Sequence, residues 1–190
     1  MPRAGLTPDV VTRAAATLLD RDGPDALTLA RLAEALGVKS PSLYNHVDGL
    51  DALTRRVALD GIDQLADACR AALMGRSGTD ALRAFASAYR AFAVAHPGVY
   101  TVAQVARPGD AEYEAKAQRL LDPVLALLRA LGLAEAELVH ATRAVRSALH
   151  GFALLESGAG FGMDIDVDAS FQWMLDLLVR GLASAPQQRL

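Results

Sequence analysis

The chain has 190 residues, of which 52% are hydrophobic and 22% charged. This composition is typical of a folded protein with a sizeable core and excludes an intrinsically disordered chain. A single cysteine, Cys69, excludes an intramolecular disulfide framework. The net charge is −3, and residues 1–60 hold seven Lys/Arg against eight Asp/Glu. DNA-binding modules usually show a basic footprint, so any DNA binding here depends on where the charges lie.

The sequence also lacks the features of an exported or membrane-spanning protein. Residues 1–9 contain two prolines and no apolar run, and no 18 consecutive residues are free of charge. A secretory signal and a transmembrane helix both need such runs. We therefore expect a cytoplasmic protein without membrane contact.

Apolar residues recur at helical spacing along the chain, which predicts an all-α fold of about nine helices. The first helix begins after Thr7, a capping hydroxyl, and stops at Gly23. Thr28 caps a second, short helix that Gly37 closes with a left-handed residue. A third helix is predicted from Ser40 to about residue 47.

The second part of the chain contains longer predicted helices. A continuous pattern over residues 50–74 predicts a connecting strut, and Thr79 or Asp80 caps the next helix, which ends at residues 97–98. A short element follows at 100–105, then a helix over 111–131 that Pro123 should kink. The last two helices are predicted at 134–156 and 169–185, with Asp168 capping the final one. We predict a domain boundary between residues 49 and 50.

Residues 32–47 have the pattern of a helix-turn-helix, in which a second helix lies in the major groove of DNA. Leu32, Leu36, Val38, Leu43 and Val47 supply the apolar contacts between the two helices. The side chains left pointing outward are Lys39, Ser40, Ser42, Tyr44, Asn45 and His46.

Three segments carry a resemblance to a known family. They read Ala-Leu-Thr-Leu at 26–29, Leu-Ala-Glu-Ala-Leu-Gly-Val at 32–38 and Ser-Pro-Ser-Leu-Tyr-Asn-His-Val at 40–47, with Leu53 starting the strut. In this order they resemble the DNA-binding domain of TetR/AcrR regulators, and most closely the tetracycline-repressor branch. The strong part of the resemblance covers residues 7–60, with a weaker one thereafter.

The resemblance implies a role for each matching position. Thr28 would bond a phosphate, Tyr44 and His46 would hold the DNA backbone, and Arg3 would reach a minor groove. Ser40, Pro41, Ser42 and Asn45 would face bases. The family usually has a phosphate-binding lysine where this chain has Leu50. Because phosphate contacts supply most non-specific affinity, we expect weak, salt-sensitive non-specific binding, with Lys39, Arg3 and Arg55 compensating in part.

The last two helices carry apolar stripes suited to pairing with a second copy of the chain. A four-helix bundle formed by two chains would place the recognition helices of both chains on a palindromic operator. Burial of the same stripes in the core of one chain is the alternative. The predicted interface residues are Leu138, Ala141, Val145, Ala148, Phe152, Leu155, Phe171, Leu175, Leu178 and Leu182.

A pocket for a small, mostly apolar effector is predicted among the middle helices, and ordinary core packing is the alternative for each aromatic residue. Its candidate residues are Phe85, Tyr89, Phe92, His96, Tyr100, Gln104, Leu121, Leu125, Arg146 and His150. The C-terminal half also resembles a TetR subgroup with a Trp-His-Gly signature, through residues 150–152 and 160–162. Arg146 stands in the position of that tryptophan.

The sequence contains no pattern typical of catalysis or metal binding. Residues 164–168 resemble the start of a calcium loop but lack its later glycine and glutamate, and the four histidines include no i, i+4 pair. We therefore predict no enzyme, metal or cofactor, and a ligand-responsive repressor that binds double-stranded DNA. Two alternatives stay open, a helical dimer that binds a protein partner through a weakened DNA domain, and a DNA-binding regulator without an effector.

Overall fold

The computed structural model describes residues 5–184, and every regular element in that range is helical. The all-α prediction is therefore confirmed. The elements in chain order are α1 Pro8–Asp22, a 3-10 turn Pro24–Ala26, α2 Leu29–Leu36, α3 Ser40–Leu43, α4 Leu50–Leu73, α5 Gly78–Ala95, α6 Pro97–Ala103, α7 Ala111–Ala130, α8 Glu135–Ser157 and α9 Val167–Ala183.

The helices form two compact units. Unit 1 comprises residues up to Ile62 together with Ala95–Glu114, and unit 2 comprises Asp63–Val94 and the chain from Ala115 onward. Helices α4, α5 and α7 contribute residues to both units. The predicted division of function between residues 1–49 and 50–190 stays a prediction.

The predicted caps explain why several helices begin and end where they do. The Thr7 hydroxyl accepts a hydrogen bond from the Val10 amide at 3.3 Å, and the Thr28 hydroxyl accepts one from the Arg31 amide at 3.2 Å. Each bond satisfies an amide that the first helical turn leaves unpaired. Gly37 ends α2 with φ 66°, a left-handed conformation that glycine adopts at little cost.

Four predicted boundaries differ from the structure. Pro97 does not lie in a loop but begins α6, where its missing amide hydrogen costs nothing. Helix α5 starts at Gly78, before either predicted cap. Helix α9 starts two residues early, because the Asp166 carboxylate, and not that of Asp168, caps it by accepting a bond from the Asp168 amide at 2.9 Å. Helix α3 ends at Leu43 instead of running to residue 47.

Helix α6 is built into unit 1 by close contacts with α1 and α4. A Cβ on Gly98 would overlap the backbone carbonyl of Leu19, and a Cβ on Gly61 would lie 2.6 Å from Val99 Cγ1. The Asp20 carboxylate accepts a hydrogen bond from the Val99 amide at 2.8 Å and lies 3.0 Å from His96 Nδ1. Residues 95–103 therefore belong to the same body as the helix-turn-helix.

Each unit has its own buried core. In unit 1 the buried side chains include Val11, Leu18, Leu19, Leu32, Leu43, Leu53, Val57, Val99 and Tyr100. In unit 2 they include Leu65, Leu82, Phe85, Tyr89, Leu128, Leu138, Leu149, Phe171 and Leu175. None of the helices within residues 5–184 is both long and apolar enough to span a membrane.

Candidate nucleic-acid interface

The helix-turn-helix is assembled from α2, the turn at Gly37 and α3. Leu32, Leu43 and Val47 are buried, so the two helices are locked together as the sequence predicts. The Val47 amide donates to the Leu43 carbonyl at 3.0 Å, and the His46 amide donates to it at 2.8 Å. This hydrogen-bonded turn after α3 holds residues 44–46 in place although the regular helix has ended.

The predicted DNA-contacting side chains lie on the outside of this motif. Lys39, Pro41 and Asn45 are exposed, Tyr44 is 62% exposed, and Thr28 is exposed at the start of α2. Ser40, Ser42 and His46 are half-buried at its edge. Arg3 lies outside the described residues.

Most arginines near this motif are already paired with carboxylates of their own chain. Arg31 lies 2.6 Å from Asp22, and Arg56 lies 2.5 Å from Asp9. Of the cations in residues 5–62, those without an ion pair are Arg13 and Lys39. The unpaired positive charge on the motif itself is therefore that of Lys39.

The sequence predicts that Arg55 helps to bind DNA phosphates, but in the structure its guanidinium is paired with carboxylates of its own chain. Its Nε and Nη2 donate to the two carboxylate oxygens of Asp110 at 2.6 and 2.8 Å, and Nη2 also donates to Glu112 at 2.9 Å. The hydrogen bonds from Arg55, together with one from the Tyr113 amide, lower the pKa of Asp110 to about 2. Asp110 lies in the loop between α6 and α7. Because it is far from Arg55 in the sequence, the pairing could not be predicted from the sequence.

The predicted effector-binding residues differ in burial. Phe85, Tyr89, Phe92 and Tyr100 are buried, and the Phe85 and Tyr89 ring centroids are 6.3 Å apart. The half-buried candidates are His96, Gln104, Leu121, Leu125 and His150, whereas Arg146 is exposed. His96, Tyr100 and Gln104 belong to unit 1 and the other seven candidates to unit 2. Their grouping into one pocket stays a prediction.

Helix α8 contributes two polar groups of interest to unit 2. Thr142 Oγ1 is buried and has no hydrogen-bond partner, although its helical register places it beside the buried Leu138, Val145 and Leu149. A buried hydroxyl without a partner needs an explanation, and sequence reasoning missed this residue. Burial, followed by the nearby Arg146 charge, lowers the pKa of His150.

Six of the ten residues predicted to form the dimer interface are buried inside the single chain. They are Leu138, Ala141, Val145, Phe152, Phe171 and Leu175, each 9% exposed or less. Within the single chain they are part of the core of unit 2, and a dimer interface formed by the ten residues stays a prediction. Ala148, Leu178 and Leu182 are half-buried, and Leu155 is 50% exposed.

Other classes of site find no support in the part of the chain that the structure describes. It contains no group of three or more His, Cys, Asp or Glu placed to hold a metal ion. Cys69 is fully buried, and burial raises the pKa of its thiol to about 12, far above that of a reactive cysteine.

Two family models match the chain. Residues 11–57 match "Bacterial regulatory proteins, tetR family", and residues 82–178 match "Tetracyclin repressor-like, C-terminal domain". The first covers the helix-turn-helix and the second covers most of unit 2 together with α6.

Relatives agree with this assignment along nearly the whole chain. "Uncharacterized HTH-type transcriptional regulator Rv0681" of Mycobacterium tuberculosis is 41% identical over 94% of this chain and 83% of its own length. Among solved structures, a Rhodococcus protein matches with TM-score 0.81 and 24% identity, covering 95% of this chain and 97% of that one. A tetracycline repressor variant of Acinetobacter baumannii, in complex with minocycline, matches with TM-score 0.70 and 27% identity over 93% and 96%.

These relatives give no support to the alternative of a helical dimer that acts through a protein partner. The matches to both family models place the exposed helix-turn-helix and unit 2 in a family of transcriptional regulators, not of enzymes. The chain is therefore a DNA-binding transcriptional regulator that belongs to the TetR family.

Proposed function

We propose that the protein is a homodimeric repressor that binds a palindromic operator in the bacterial cytoplasm and is released by a small, mostly apolar effector. The proposed DNA binding rests on the outward face of the helix-turn-helix. Lys39, Tyr44 and Asn45 are exposed on it, while Leu32 and Leu43 beneath it are buried. An amide and an ammonium group are suited to reading base edges in the major groove.

The exposed faces of α8 and α9 support the homodimer. Trp173 is 65% exposed and Leu177 is 44% exposed on the side of α9 opposite Phe171. On α8, Val139 is 54% and Leu154 43% exposed, and helical geometry places them within about 60° of each other. We call these four residues the outer face. Small residues on α8, among them Gly151 with no atom near its missing Cβ, allow a second helix to approach closely. A two-fold interface of this kind would present two reading helices to two half-sites.

The effector part rests on the tetracycline repressor relative, whose structure contains minocycline, and on Thr142. The unpartnered Thr142 hydroxyl is a natural partner for a polar group on an otherwise apolar ligand. The effector would bind best to the form with low DNA affinity and shift the population toward it.

The test begins with footprinting of the DNA adjoining the gene, followed by anisotropy titrations of the protected duplex at several salt concentrations. Asn45→Ala should lose roughly 1–3 kcal/mol of preference at one base pair of each half-site, the value of a good bidentate contact. Tyr44→Phe should weaken all sequences alike, because backbone contacts carry no sequence information. Gln64→Ala, which removes an exposed amide on α4, is the matched control and should bind as the wild type does.

Two results would overturn the proposal. A wild-type protein that binds specific and random duplexes equally would contradict an operator. A protein whose affinity for its operator is unchanged by every compound that it binds would contradict release by an effector. If an effector is found, Thr142→Val should weaken its binding without changing operator affinity in its absence.

A further inference from the structure

Arg90 on α5 is a largely buried cation. Its side chain is 15% exposed. Nε and Nη2 donate to the two carboxylate oxygens of Glu156, both at 2.6 Å, and Nη1 lies 2.7 Å from the Asp168 carboxylate. Glu156 is at the end of α8 and Asp168 is at the start of α9. One guanidinium therefore joins three helices.

The same guanidinium also lies over two aromatic rings. Its carbon is 4.6 Å from the centroid of the Phe171 ring and 5.4 Å from that of Phe152. The Phe152 ring is in turn 5.1 Å from Phe171 and 4.9 Å from Phe161, which lies in the α8–α9 loop. Only arginine offers a planar fork that can bind a carboxylate in a bidentate manner and stack on aromatic rings together.

These contacts constrain how α9 is rotated about its own axis. Phe171 is held inward against Arg90, and since Trp173 follows two residues later, it must point away from that contact. A second arginine on α5, Arg83, reaches α9 through Asp176 at 2.5 Å, but this pair is 35% and 46% exposed and involves no aromatic ring. The more buried of the two arginine contacts with α9 is therefore the one at its beginning, made by Arg90.

We infer that Arg90 is a positioning residue for the dimer surface, holding α8 and α9 at the angle and rotation that make the outer face self-complementary. This inference rests on the proposed homodimer. In a two-fold symmetric interface the same residues of both chains contribute. A small rotation of α9 would therefore displace Trp173 and Leu177 in each of the two chains.

The protein contains its own probe for the test. Trp173 is the single tryptophan of the chain, and its indole should leave water when two chains associate, which shifts its emission to the blue. The concentration at which half of this shift has occurred gives the dissociation constant, and sedimentation equilibrium gives it independently. Far-UV circular dichroism, recorded on the same samples, establishes that each variant is folded.

Three variants separate positioning from simple charge balance. Arg90→Lys keeps the charge and loses the planar fork. Arg90→Met combined with Glu156→Gln leaves no unpaired buried carboxylate and loses the connection to α9. Both should raise the dissociation constant about tenfold or more, as expected when a central hydrophobic contact is displaced. Arg83→Lys, the matched control on the same helix, should stay within about twofold of the wild type.

The outcomes distinguish this inference from the proposed dimer. If the wild type dimerises and the two Arg90 variants do so with unchanged affinity, the positioning role of Arg90 is wrong and the dimer stands. Wild-type affinity in the double variant alone would also overturn it, since Arg90 would then merely neutralise Glu156. A wild type that sediments as a monomer, with Trp173 emission independent of concentration, would contradict the dimer itself and the inference with it.

Discussion

Replacing Gly98 with alanine should destabilise unit 1, because the new methyl group has no room at the junction of α6 and α1. Its Cβ would overlap the carbonyl of Leu19 and the amide nitrogen of Asp20, which are backbone atoms. A side chain could turn aside, but here a helix has to move. Overpacking of a well-packed site costs typically about 1–3 kcal/mol, and a backbone obstacle places this case near 3. The helix propensity of alanine over glycine returns about 1 kcal/mol, which leaves a net loss of about 2 kcal/mol.

Gly61 provides a graded comparison on the other side of α6. The atom facing its missing Cβ is Val99 Cγ1 at 2.6 Å, followed by the Ala103 Cβ at 3.6 Å. Because a side-chain methyl can shift more easily than a backbone carbonyl, we expect Gly61→Ala to cost about 1 kcal/mol or less after the propensity gain. In a Val99→Ala background that obstacle is absent, so Gly61→Ala should become neutral or stabilising. The two changes are therefore expected to be non-additive.

Urea unfolding followed by circular dichroism would measure the losses, and hydrogen exchange of the Val99 and Tyr100 amides would assign them to unit 1. The expected order of stability is wild type, then Gly61→Ala, then Gly98→Ala. A Gly98→Ala protein as stable as the wild type would refute the packing of α6 on α1. Equal costs at the two glycines would refute the distinction between a backbone and a side-chain obstacle.

Three further predictions concern single polar groups. Thr142→Val should raise the free energy of unfolding by about 1 kcal/mol in thermal or urea unfolding, because it removes a buried hydroxyl without a partner; a loss of stability would show that the hydroxyl is bonded. Asp110→Asn should be less stable than the wild type at neutral pH, because the charged Asp110 carboxylate, whose pKa is lowered, adds stability. The difference in urea midpoint between the two proteins should shrink as the pH falls from about 4 toward 2 and the carboxylate becomes protonated. A difference that does not change with pH would contradict this. The pKa of His150, measured by NMR titration, should lie below its ordinary value of 6.5. In Arg146→Gln it should rise only part of the way back to that value, because burial is the larger cause of the lowered pKa. A return to the ordinary value would show that the Arg146 charge is the main cause.

The sequence was sufficient for features that depend on neighbours along the chain. The caps at Thr7 and Thr28, the left-handed Gly37 and the buried Leu32, Leu43 and Val47 follow from local hydrogen bonding and helical spacing. The outward position of Tyr44 and Asn45 follows from the same spacing. These features identify the helix-turn-helix and hence the family.

The sequence was insufficient where distant residues meet. The pairing of Arg55 with Asp110, 55 residues away, and the contact of Arg90 with α8 and α9 depend on tertiary packing, which a charge count does not reveal. The predicted dimer stripe includes Phe171 and Leu175, which are buried within the single chain. An apolar stripe marks a face that is buried, but its spacing does not say against what.

The pairing of Arg31 and Arg56 with carboxylates of the same chain has a consequence for how such a regulator finds its target in a cell. A chromosome offers millions of non-specific sites that compete with each operator, and the competition depends on how many cations a protein offers to phosphates. With Arg31, Arg55 and Arg56 held by Asp22, Asp110 and Asp9, we expect few molecules to be sequestered on random DNA. A small number of copies would then be enough to keep an operator occupied.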